Sequence, residues 1–242
     1  MTDTVCEGLE AHLDEFVEHP LSKGGYFVSK WNASIEPLNH THLYAAVAAE
    51  AYAITRNERY RDVCEKSYNF FRHNWYEEKN GTVSWAYAPT PDNKNIAHPE
   101  CSFGERSFSH VKGAELFFKA AVTIELPLAM HRVGILDKSE IELIAKSLRV
   151  NVMSNDDSIN MYISPRKQVP DSVEHLQKQK IRPEFLAMYY LLAPFDGKMK
   201  LSLDDLFEKR KDWFPNGLIS GPSQLLAYSF LHYGGSSAHI EP

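Results

Sequence analysis

Between His42 and Ile54 the chain reads HLYAAVAAEAYAI, apolar nearly all round and rich in alanine. A helix at a protein surface shows one apolar stripe and a polar back. This segment has no polar back, so it predicts a helix buried on most sides, with neighbours close enough to use its small side chains. The next segment has the opposite character. Tyr60, Val63, Cys64, Ser67, Phe71 and Trp75 recur at three- and four-residue spacing, and 58–79 reads as a one-sided amphipathic helix. An inner helix and an outer helix joined by a short turn make a hairpin.

The alternation continues along the chain. Leu116 to Val133 reads as a third long helix, with Pro127 expected to kink it. Ile141, Ile144, Ala145, Leu148 and Val152 mark a fourth with one clean stripe. Further helices are expected at 3–19, 183–193, 202–212 and 222–233. Between alternate helices lie extended aromatic segments at 24–32, 81–89, 159–165 and 216–222. The unit of helix, extended loop, helix and short turn recurs at intervals of about 55 residues, too irregularly for a solenoid of identical repeats. It suits hairpins around an axis, with one-sided helices outside and apolar helices inside. The expected fold is all-α, an incomplete (α/α) toroid of about four hairpins over 1–233, with its aromatic loops on one face. Residues 234–242 read as a flexible tail. An irregular helical bundle is the alternative.

Composition narrows the function. Apolar residues are 43% and charged residues 24% of 242, the proportions of an ordinary globular protein. Lys and Arg number 26 against 32 Asp and Glu, a formal charge of −6, so nucleic acid is a poor partner. A local positive pocket for an anionic substrate stays open. Cys6, Cys64 and Cys101 are too few and scattered for a disulfide framework. Reduced thiols and the lack of a basic leader before an apolar run point to the cytoplasm, unless a signal was removed from a periplasmic or secreted protein. No apolar run is long enough to span a membrane. Glycine-rich dinucleotide and phosphate motifs and the serine-hydrolase elbow are absent. A homo-oligomer stays open.

Two junctions before apolar helices carry the chemistry. Asn39, His40, Thr41 and His42 open the first, where Asn39 and Thr41 are capping types and two histidines can hold a carboxylate and move a proton. Each could equally be a cap or a satisfied polar neighbour. Glu105, Arg106 and His110 open the second. Arg106 suits a bidentate carboxylate clamp, His110 shares its helical face, and Glu105 can orient a histidine. Arg182 recurs at the third such junction, near Glu184. Tyr26, Trp31, Trp85, Tyr87 and Tyr162 place flat faces in the extended segments, suited to stacking on sugar rings or simply to packing. His98, Cys101 and His110 could meet at a metal only by loop proximity; no metal and no cofactor is expected.

The inner-helix start NHTHLYAAVAAEAYA, together with an outer helix followed by Gly and a W-x-Y strand, resembles alginate-lyase-type (α/α) toroid polysaccharide lyases. The resemblance covers roughly residues 24–135. It implies that Asn39 and Arg106 neutralise a uronate carboxylate and that His40 abstracts the C5 proton. The family's tyrosine acid has no counterpart after Arg106, so Tyr87, Tyr162 or His110 would protonate the leaving oxygen. The implied activity is β-elimination on an anionic oligosaccharide, with His40, His110 and Tyr87 catalytic. Trp31, Trp85, Tyr26, Tyr162, His42, Glu105 and Arg182 would line the substrate. A glycoside hydrolase or epimerase on a similar toroid is one alternative; a non-catalytic ligand-binding module or a small-molecule cyclase-like enzyme is another. A hydrolase would need two carboxylates flanking the bond, and the acidic candidates offer no obvious pair.

Overall fold

The computed structural model describes residues 2–29, 35–87, 114–153, 159–165 and 183–210. Of these residues 62% are helical, and the only sheets among them are two small two-stranded ones. The expected helix at 222–233, the extended segment at 216–222 and the tail lie outside the described residues. No helix among the described residues is long and apolar enough to cross a membrane. The chain divides into two compact units, Met1–Glu77 with Ser84–Glu115 and Val122–Asp137, and Glu78–Val83 with Leu116–Ala121 and Lys138–Pro242.

In the first unit, helix α1 (Thr2–Leu13) leads into an antiparallel hairpin of β1 (Phe16–His19) and β2 (Gly24–Phe27). The helix expected over 3–19 is therefore shorter, because its C-terminal part forms β1. Helix α2 (Leu38–Thr55) carries the alanine-rich segment, and Ala45, Ala48 and Ala49 are fully buried. Small side chains there let α2 pack against its neighbours, but on another face Leu43, Val47 and Ile54 are 45%, 40% and 66% exposed, so the burial on most sides expected of 42–54 is not seen among the described residues. It ends at Arg56, which takes the left-handed conformation at φ 58°. Asn57 then caps α3 (Glu58–His73), its side chain accepting from the Arg59 N–H at 3.0 Å. The turn between α2 and α3 is thus only Arg56 and Asn57, and the two form a helical hairpin.

Tyr60, Val63, Cys64, Ser67 and Phe71 are buried along α3, the stripe expected from their spacing. The helix stops at His73 rather than 79. The Asn74 amide donates to the Phe70 carbonyl at 2.8 Å, and β3 (Trp75–Glu77) takes over to pair with β4 (Val83–Trp85). Strand β2 lies close on α3: a Cβ added at Gly24 would meet the Phe70 nitrogen at 2.5 Å. Leu9, Leu13, Phe27, Ala48, Ala51, Tyr60 and Val63 form one apolar cluster between these elements.

The third long helix is not one kinked helix but two, α4 (Phe117–Thr123) and α5 (Glu125–Arg132). Pro127 falls in the first turn of α5, where a missing N–H is tolerated.

In the second unit, α6 (Lys138–Val152) buries Ile141, Ile144, Ala145, Leu148 and Val152, the predicted stripe. Pro183–Leu192 winds as a 3₁₀ helix, and Asp196 caps α7 (Gly197–Lys209) by accepting from the Lys198 N–H at 3.0 Å. The Asn151 side chain ties the β3–β4 turn and the 159–164 segment to α6. It accepts from the Thr82 hydroxyl at 3.1 Å and donates to the Val83 and Ile163 carbonyls at 3.3 and 3.1 Å.

Candidate functional site

The start of α2 is set by the backbone. Pro37 occupies the cap position without a side-chain bond, and Asn39 and Thr41 lie inside the first turns, so neither is the cap their residue types suggested. The Leu38 N–H donates to the Tyr87 carbonyl at 3.0 Å, while the His40 and Thr41 N–H groups reach the Pro37 carbonyl at 2.9 and 3.0 Å. Three donors of this helix end are thus already used, which weakens it as an anion site. Helical spacing sorts the side chains here. Asn39, Thr41 and His42 turn inward and are 4%, 1% and 0% exposed, whereas His40 faces solvent.

His42 belongs to a buried polar chain that the sequence did not reveal. A helical carbonyl bonds the N–H four residues on, and for Thr123 that position is Pro127, which has no N–H. The His42 imidazole takes the place of the missing donor, its Nδ1–H reaching the Thr123 carbonyl at 2.5 Å. The lone pair is thereby left on Nε2, which has no partner among the described residues. The Phe71 ring stands edge-on to the imidazole, centroids 4.6 Å apart. Burial pushes the His42 pKa down from 6.5 to about 4, partly offset by the bond to Thr123. The Thr123 hydroxyl in turn donates to one Glu115 oxygen at 2.9 Å, and the Trp85 Nε1–H donates to the other. Glu115 and Trp85 are both fully buried. His42 and Trp85 are therefore core residues, and the Trp85 ring has no face open to a sugar.

A second group lies at the surface of the same unit. His40 Nδ1 is 2.8 Å from a Glu36 oxygen. An ionised carboxylate only accepts, so Nδ1 carries the hydrogen and the neutral ring keeps its lone pair on Nε2. Tyr87 is half-buried. Burial, then the charges of Glu115 and Glu36, hold its phenol above the usual range and so protonated. One turn beyond His40, Tyr44 is raised by burial and by the charges of Glu36 and Glu15. The His12 ring lies against Tyr44 at 4.8 Å, and His12 Nδ1 is 3.1 Å from Glu15.

The remaining expected residues fall elsewhere. Tyr26 is 3% exposed and packs on Phe70 at 4.9 Å, a core contact rather than a platform. Tyr162 belongs to the second unit, half-buried, with its backbone paired to Leu116. Trp31, Glu105, Arg106, His110 and Arg182, with His98 and Cys101, lie outside the described residues. Among the described residues no group of three His, Cys, Asp or Glu side chains is arranged to hold a metal. Of the expected set, the structure brings Asn39, His40, His42, Trp85 and Tyr87 into one region of the first unit.

Sequence reasoning missed Glu36, Glu115 and Thr123. Glu36 stood four residues before His40, the helical spacing of an ion pair, and Pro127 marked Thr123 as a carbonyl without its helical donor. Glu115 carried no local signal, because its partners come from β4 and the end of α4. No family model matches the chain, and no curated protein or solved structure matches it.

Proposed function

We propose that the chain is a carbohydrate-active enzyme that cleaves a uronate-containing glycan by β-elimination on an incomplete (α/α) toroid, with His40 as the base. One observation carries this reading: His40 is solvent-facing, and its Nδ1 is held 2.8 Å from the less exposed Glu36. A carboxylate behind an imidazole fixes the tautomer and stabilises the imidazolium that forms when Nε2 accepts a proton. Nε2 removes the C5 proton of the uronate, the C4–O bond breaks with its electrons going to oxygen, and a C4=C5 double bond forms. Tyr87, whose phenol stays protonated, donates to the departing oxygen. The packing of α2 on one-sided α3 across a two-residue turn supports the hairpin architecture. Arg106 is the proposed partner of the uronate carboxylate, which carries charge in the transition state.

The test is absorbance near the ultraviolet edge while the protein is incubated with a panel of polyuronates. Unsaturated ends should accumulate, and His40→Ala should slow their formation by about 100-fold or more. A panel that binds without any absorbance increase, or a His40→Ala variant with unchanged rate, overturns the reading.

A further inference from the structure

The His12–Glu15 pair repeats the arrangement of His40–Glu36. In each, the imidazole is the more exposed member, with side chains 42% against 9% and 47% against 19% exposed. In each, Nδ1 faces the carboxylate, so the reactive lone pair or proton falls on Nε2, which no described residue occupies. The two pairs come from different elements, the end of α1 and the start of α2. Tyr44 joins them: its ring lies 4.8 Å from that of His12, it follows His40 by one helical turn, and both carboxylates act on its phenol. The Tyr44 ring also packs on Phe27 at 5.0 Å, which holds it beside His12.

From this juxtaposition we propose that the site also inverts the uronate carbon, with His12 as the second base. The inference rests on the reading of His40 as the group that removes the C5 proton. Once the C5–H bond is broken, its electron pair lies in the carbon–carboxylate enolate. If the C4–O bond does not break, His12 Nε2–H returns a proton to C5 from the opposite face, and the glycan leaves epimerised and otherwise intact. His40 ends protonated and His12 neutral, and exchange with water restores both, so no cofactor or oxidant enters the balance.

The experiment incubates the same polyuronate panel in D₂O and reads deuterium and configuration at C5 by NMR, beside ultraviolet absorbance. The expected result is deuterated, inverted residues formed by the wild type. His12→Gln should lose these by about 100-fold while still forming unsaturated ends, and His12→Asn, which keeps a nitrogen near Nδ1, should lose them equally. Near-ultraviolet circular dichroism confirms that both variants stay folded. Unsaturated ends without inverted residues, or inversion that survives in His12→Gln, overturns the second base and leaves the first reading standing. Neither deuterium nor unsaturated ends overturns both.

Discussion

At the scale of single residues, His42 shows how a neighbour's missing hydrogen decides a side chain's chemistry. Its imidazole is neutral in the fold because burial penalises the charged form, and a protonated Nε2 would have no partner among the described residues. The folded state therefore binds fewer protons than the unfolded chain between pH 6.5 and about 4. The stability that goes with neutral His42 is whole above pH 6.5 and is lost as the pH falls toward 4, by about 3 kcal/mol in total. Urea denaturation at pH 7 and pH 4 should show this loss. His42→Asn, which keeps a donor toward Thr123 and cannot titrate, should flatten the pH dependence; an unchanged slope would contradict the assignment. The identity of the buried histidine was legible as a residue type, but its role was not. Nothing near position 42 announces a carbonyl that lies 81 residues away in sequence.

At the scale of elements, periodicity read well and boundaries did not. The stripes of α3 and α6 follow from spacing alone, since burial on one side leaves its mark in every turn; α2, apolar nearly all round, nevertheless leaves Leu43, Val47 and Ile54 exposed among the described residues. The ends depend on distant partners. Asn39 was a plausible cap, yet Leu38 starts the helix because the Tyr87 carbonyl is placed to receive its N–H. Trp85 and Tyr26 looked like platforms because a strand shows its aromatic residues without showing what covers them. Close approach of elements is equally hidden until the backbones are in place. Gly24 is the sharpest case. A methyl group there would sit 2.5 Å from the Phe70 nitrogen and 2.8 Å from the Lys66 carbonyl oxygen of α3. Gly24→Ala should cost about 2 kcal/mol, typical of overpacking, seen as a lower urea midpoint with the same slope.

At the scale of the whole molecule, each unit has its own interior, and they are built differently. The first is centred on aromatic and alanine packing, with the chain from His42 to Trp85 running through it. The second buries the α6 stripe together with Leu186, Tyr189 and Phe207, and one amide ties its loops to that interior. Asn151 bridges α6, the β3–β4 turn and the 159–164 segment by four hydrogen bonds, with Asn80 and Thr82 as donors and the Val83 and Ile163 carbonyls as acceptors. Asn151→Ala leaves these groups to find other partners in a buried place, and should destabilise the protein by about 3 kcal/mol, measured by thermal or urea unfolding. The sequence offered no reason to single out Asn151 within its helix, because an amide between two apolar positions reads like any surface residue.

Pro127 of α5 couples positions 42 and 127, although they belong to different helices. A lineage that lost the imidazole alone would lose the hydrogen bond it gives the Thr123 carbonyl; one that gained an amide at 127 would have another donor for that carbonyl. His42→Leu combined with Pro127→Ala should therefore cost at least about 1 kcal/mol less than the two changes added separately, as a four-protein denaturation cycle would measure. Drift at either site is then gated by the other.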